Sequence, residues 1–168
     1  MVIEITTPRP GGTGHPDRIN IMNAQQIIDL IRNAGAEDNQ SILYTLEDGA
    51  ALLALGITDA DQEAVEEAHE ISNNARIYSE AARQYGEVTH EGRSYALLGQ
   101  ADLTNRVFYG WEGDAADGDE YISEWSAPAI DQDGEEYVVR WRFDAIKGQE
   151  PEDGSSWPWH MGYEVIAA

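Results

Sequence analysis

Between Arg106 and Arg140 the chain carries ten carboxylates and no Lys or Arg: Glu112, Asp114, Asp117, Asp119, Glu120, Glu124, Asp131, Asp133, Glu135 and Glu136. Residues 33–75 repeat the pattern with ten more, Glu37, Asp38, Glu47, Asp48, Asp59, Asp61, Glu63, Glu66, Glu67 and Glu70. Carboxylates at such density can do three kinds of chemistry. They can ligate hard cations, work in pairs as general acid and base, or present a negative field to a basic partner.

The first two readings find little in the spacing. Asp131, Asp133, Glu135 and Glu136 surround Gly134, and Asp114, Asp117, Asp119 and Glu120 surround Gly118. Clustered oxygens on tight loops suit calcium, but neither loop has the twelve-residue ligand spacing of a helix-loop-helix site. Asp-x-Asp-Gly is also an ordinary hairpin turn. No metal is therefore assigned. Acids are so frequent that no pair stands out for acid/base work, so a divalent-cation-dependent enzyme is the least favoured class and no catalytic residue is named. His15, His69, His90 and His160 are scattered, without metal-ligand spacing and without a nucleophile beside them. There is no Cys, which excludes thiolate chemistry, disulfides and Cys-ligated zinc. The Gly-Gly-Thr-Gly at residues 11–14 lacks the Lys-Ser/Thr ending of a phosphate loop. No cofactor is expected.

The third reading accords with the composition. The 168 residues carry a formal net charge of −22, with 42% hydrophobic residues. That is a folding chain and not a disordered acidic tail. Residues 1–20 are neutral, residues 21–86 carry −9 and residues 87–168 carry −13. Such a field repels nucleic acid and acidic membranes and attracts basic proteins. Nine of the ten bases are Arg and one is Lys147, a balance that also suits adaptation to salt. No segment is long and apolar enough to span a membrane, and no signal-peptide pattern is present, so a cytoplasmic location is expected.

The elements that must position these acids can be read in order. Residues 1–20, with three Pro and three Gly in TTPRPGGTGHPDR, predict a flexible or extended arm. Residues 21–86 predict helices. Asn23 and Gln26 form a capping pair before Ile27, Ile28, Leu30 and Ile31, and Gly35 stops the first helix. A second runs from Asn39 through Leu46, and a third holds residues 50–55 behind Asp48. The fourth and longest is capped by Thr58 and ended by Gly86, with Asn73 and Asn74 as a point of weakness. Its residues Ala64, Ala68, Ile71, Ala75, Tyr78, Ala82 and Tyr85 recur at steps of four and three. This heptad seam serves either the core of its own domain or a homodimer. Its outer face carries Glu63, Glu66, Glu67 and Glu70.

Residues 87–168 predict strands. Glu91-Gly92 joins residues 88–90 to 93–98, and residues 106–111 form a third strand beginning the Phe108, Tyr109, Trp111 cluster. Residues 121–130 and 135–145 flank an Asp-Gln-Asp-Gly turn. On the latter strand Tyr137, Val139, Trp141 and Phe143 point to one side, with Arg140 and Arg142 on the other holding carboxylates of the acidic loop. Trp157-Pro158-Trp159-His160 forms either an exposed recognition loop or a segment folded back to close a sheet edge. Residues 161–167 supply a last strand. The fold class is α+β: a helical N-terminal half packed on, and covering one face of, a C-terminal antiparallel β-sheet, as one compact domain.

The functional expectation is a non-enzymatic acidic binding protein that blocks a basic nucleic-acid-binding surface by imitating the phosphate array. Its partner-facing residues are Glu63, Glu66, Glu67, Glu70, Glu112, Asp114, Asp117, Asp119, Glu120 and Glu124. In size and composition the chain resembles the small acidic inhibitors that phages and plasmids use against restriction and CRISPR nucleases. That resemblance implies a nuclease complex as partner and assigns no residue a role. The alternatives are a salt-adapted or accessory interaction protein whose acidity is solvation, and a nonspecific cation buffer.

Overall fold

The computed structural model describes residues 21–108 and 116–168. The arm assigned to residues 1–20 lies outside the described residues, as do Tyr109, Trp111, Glu112 and Asp114. Helix α1 (Ala24–Asn33) opens on a complete capping box: Asn23 Oδ1 accepts from the Gln26 backbone N–H, and Gln26 Oε1 accepts from that of Asn23, both at 2.9 Å. Asp38 caps α2 (Asn39–Glu47), and Asp48 caps α3 (Gly49–Ala54). Thr58 begins a single 3₁₀ turn, Asp59–Asp61, before α4 (Gln62–Tyr85). Asn73 and Asn74 do not break this helix, because their side chains bond elsewhere: Asn73 Oδ1 accepts from Arg76 and Asn74 Nδ2 donates to the Asp133 carbonyl.

Among the described residues there are six strands: β1 (Glu87–His90), β2 (Arg93–Leu97), β3 (Asp102–Phe108), β4 (Glu120–Ile130), β5 (Glu136–Ile146) and β6 (Tyr163–Ala167). All pairings are antiparallel, in the order β1-β2-β4-β5-β6, with β3 also on β4. β3 begins four residues before the expected strand. Together β2 and β3 form one interrupted strand along the same edge of β4: β2 faces Ala129 and Ile130, and β3 faces residues 121–126. The interruption falls opposite Pro128, which has no N–H to donate to a ladder. Leu98 still donates to the Pro128 carbonyl at 2.8 Å, and pairing resumes at Asp102↔Ser126.

The core lies in three places. Ile27, Ile28, Ile31, Ile42, Leu46, Ile57, Ala64, Val65 and Ala68 close the helical layer. Tyr95, Ala127, Ala129, Val139, Trp141 and Phe143 form the aromatic face of the sheet. Tyr78 and Ala81 of α4 meet Ala96 and Ile130 on the opposite face. The helical half therefore does not blanket a sheet face. The first half of α4 belongs to the helical layer, and its second half carries the main helix–sheet contact, at one corner, on β2. The aromatic face is covered by the segment after β5. Trp157 stacks on Phe143 with ring centroids 4.9 Å apart, and Trp159 meets Trp125, Trp141 and Phe143 edge to face. The Trp-Pro-Trp-His segment thus folds back over the sheet's face and not its edge.

The α4 seam is largely used within the chain. Ala64, Ala68 and Tyr78 are buried, Ala75 and Ala82 are half-buried, and only Ile71 and Tyr85 are exposed. A homodimer along this seam would have to rest on those last two. Ser72 is 2% exposed, and its hydroxyl has no hydrogen-bond partner among the described residues. A buried hydroxyl without a partner costs about 1–3 kcal/mol, and alanine is the better helix former. Ser72→Ala is therefore expected to stabilise the fold by about 1 kcal/mol, seen as a higher urea midpoint at unchanged slope. A lower midpoint would show that the hydroxyl is satisfied.

Candidate functional site

Glu63, Glu66, Glu67 and Glu70 occupy the first two turns of α4, and all four are exposed. None of them forms an ion pair with a described residue; Glu66 accepts a hydrogen bond from the Gln62 amide at 2.9 Å. At about 1.5 Å rise per residue the four charges span roughly 10 Å of helix. This is about one charge per 3.5 Å, close to the roughly 3.4 Å phosphate spacing of one DNA strand. The face continues onto the β4–β5 turn. Glu67, Glu70, Ile71, Asn74, Gln132 and Asp133 line a shallow hollow of about 230 Å³.

That turn is held firmly. Asp131 is 3% exposed; one carboxylate oxygen accepts the backbone N–H groups of Asp133 and Glu135, both at 3.0 Å. The other receives Tyr137 Oη at 3.3 Å and Arg93 Nη2 at 3.4 Å. Asp131 thus organises the hairpin, with its oxygens committed to protein donors. Gly134 takes φ +88°, and a Cβ there would lie 2.6 Å from the Asn74 amide, so glycine lets α4 dock on the turn. Among the described residues no group of three His, Asp or Glu side chains is placed to hold a metal ion.

The other predicted acids do not join this face. Glu120 begins β4 and the Asp133 turn follows its end, so the eleven residues of β4 separate them by about 33 Å. Asp117 and Glu120 are exposed there. Asp119 shapes its own loop: its carboxylate accepts the Ala116 N–H at 2.7 Å, and its carbonyl accepts the Lys147 N–H. Glu124 is spent inside the sheet. Its side chain is 13% exposed and accepts Arg142 Nε at 2.8 Å directly across the strand pair. Arg140 pairs in the same way with Glu164 of β6 at 2.6 Å. The two arginines therefore hold strand carboxylates, not those of the acidic loop. The Glu124 hydrogen bond raises the pKa of Arg142 further above its ordinary value.

Searches of protein-family models, characterised proteins and solved structures find no match to this chain. Its functional reading thus stands on its own geometry. One feature of that geometry escaped the sequence: a cleft of about 510 Å³ where the β2–β3 break opens beside the aromatic face, bordered by Tyr85, Gln100, Trp125, Trp141, Asp153 and Trp159. Its signal was Pro128 within a strand pattern, together with Gly99.

The buried and capping acids set the pH response. Hydrogen bonds from the Met22 and Thr58 backbone N–H groups hold Asp61 below the usual carboxylate range. The Ser41 hydroxyl and N–H do the same for Asp38, the Tyr121 hydroxyl for Glu150, and the Ser155 N–H for Asp153. Each folded pKa is lowered, so the unfolded chain takes up these protons first. The stability they confer is complete above the ordinary carboxylate values of about 4 and is lost as pH falls through the folded ones. Opposing this, the net charge of −22 is relieved by protonation. At low salt the melting temperature is expected to rise from pH 7 to about 5 and to fall steeply below about 4. Sodium chloride should raise it at pH 7 far more than at pH 5. A monotonic decline from pH 7 would count against the repulsion.

Proposed function

We propose that this protein is a non-enzymatic acidic binder that occupies the positively charged nucleic-acid-binding surface of a partner protein, in the manner of a nucleic-acid mimic. The observation that carries this reading is the α4 face. Glu63, Glu66, Glu67 and Glu70 stand exposed and unpaired among the described residues, on a helix buttressed by its own core. A rigid array keeps its charges apart without the ordering cost a flexible acidic tail would meet on binding. Lys/Arg channels shaped for phosphates attract such an array and are steered toward it over long range. By the resemblance in size and composition, a restriction or CRISPR nuclease complex is the first partner to test, and the host cytoplasm is where they would meet.

The test is affinity capture at physiological salt from a nuclease-bearing bacterial lysate, followed by elution with duplex DNA. Recovery of a basic nucleic-acid-binding protein that DNA displaces is the expected result. Failure to recover one, or capture indifferent to DNA, would sink the proposal. A second reading, adaptation to salt, draws on the spread of acidity over both halves of the chain. It predicts a steep and continuing gain in melting temperature up to molar sodium chloride.

A further inference from the structure

The cleft at the strand break has walls of unusual chemistry for so acidic a protein. Trp125, Trp141 and Trp159 contribute indole rings and Tyr85 a phenol ring, with Asp153 and Gln100 as polar neighbours. The indole N–H groups are all committed within the protein, at 2.8 Å: Trp125 Nε1 to Ser123 Oγ, Trp141 Nε1 to the Trp159 carbonyl, and Trp159 Nε1 to the Gly154 carbonyl. The Trp125 and Trp159 indoles therefore offer a ligand π surface and apolar area but no donor; Trp141 lies buried behind them, and the Tyr85 hydroxyl accepts from the Gln84 amide at 2.9 Å. Among the described residues no Lys or Arg lines the cleft. The Ser155 backbone N–H and hydroxyl hold the Asp153 carboxyl below the usual range, so it is charged at neutral pH. A carboxylate without a cationic side chain beside it disfavours an anion. Aromatic faces beside a carboxylate suit a flat cation with an apolar stem, and a guanidinium stacks on such rings better than an ammonium does.

We propose that this cleft receives an arginine side chain of the basic partner, seated on the Trp125, Trp159 and Tyr85 rings with Asp153 as counter-charge. It rests on the reading of the chain as a binder of basic proteins and adds an anchoring point to it. Long-range attraction comes from the acids of α4, whereas the cleft supplies a contact of short range and defined shape. Anchors of this kind, a long side chain in an aromatic pocket, dominate the affinity of many interfaces.

The experiment titrates the full chain with a short acetylated Gly-Arg-Gly-Arg-Gly amide and with its citrulline counterpart, following tryptophan emission in 150 mM salt to screen the general field. Citrulline keeps the shape and removes the charge. The arginine peptide is expected to give a saturable change, with the citrulline peptide at least about tenfold weaker. Asp153→Asn keeps an oxygen for the Ser155 N–H, and Tyr85→Leu keeps an apolar wall. Each should weaken the arginine peptide by roughly three- to tenfold, while Glu37→Gln, exposed between α1 and α2, should not. Equal binding of the two peptides, no saturable binding, or wild-type affinity in both cleft variants would overturn the assignment. If these fail while DNA-displaceable capture persists and depends on Glu63, Glu66, Glu67 and Glu70, the cleft assignment falls and the acidic-binder reading stands. If the peptide binds as described but no basic partner is captured, the reverse holds.

Discussion

Trp141→Ala is expected to lower the unfolding free energy by about 3–5 kcal/mol, a large share of the roughly 5–15 kcal/mol by which folded domains are stable. Trp141 is 1% exposed at the centre of the aromatic face. It pairs across the strands with Trp125, lies 5.4 Å from Trp159 and 6.2 Å from Tyr163, and donates to the Trp159 carbonyl. Removing it opens a cavity and orphans that carbonyl, so the covering segment loses its anchor as well as its packing. Melting should fall by on the order of 10 °C, measured by circular dichroism. Trp141→Phe separates the two contributions: it keeps most of the ring contact and loses the hydrogen bond, and should cost about 1–3 kcal/mol. If the two variants melted alike, the hydrogen bond and not the packing would dominate.

Combined Glu→Gln substitution at residues 63, 66, 67 and 70 should have the largest effect on binding. Association with a captured basic partner is expected to slow by roughly ten- to a thousandfold at low salt, with a shallower salt dependence. Stability should hold or improve by on the order of 1 kcal/mol, because four like-charge contacts at i,i+3 and i,i+4 spacing are removed. Retained folding with lost binding is a combination that damage to the core would not produce. The matching substitution at Asp117 and Glu120 should leave association nearly unchanged, since they stand about 33 Å away along β4. Equal losses from both sets would instead assign the attraction to net charge alone.

Much of the fold was legible because local chemistry agreed with it. Asn23 with Gln26, and Asp48, set helix starts that side-chain oxygens then enforce; Asp38 does the same for α2, a cap that sequence reasoning missed. Gly86 ends α4 with positive φ, and Glu91-Gly92, both at positive φ, turns the first hairpin. The two-residue alternation of Tyr137, Val139, Trp141 and Phe143 marked the aromatic face correctly. What failed to appear were relations between distant segments. Glu124 reads like any other acid of its stretch, yet its strand register places it on Arg142. The heptad steps of α4 read as one stripe, yet the helix faces a helical layer with its first half and the sheet with its second.

The sequence by itself determined the α+β class, the sites of most turns and caps, and the acidity of both halves. Those depend on backbone preferences, short-range hydrogen bonds and composition, all of which act within a few residues. Only the tertiary structure decided which carboxylates remain free. Cross-strand register neutralises Glu124, the hairpin consumes Asp131, and α4 docking on Gly134 brings Glu67 and Glu70 beside Asp133, which itself pairs with Arg93 at 3.6 Å. The same holds for the aromatic cleft, which exists because Pro128 cannot donate to a neighbour thirty residues earlier in the chain and the strand there must break.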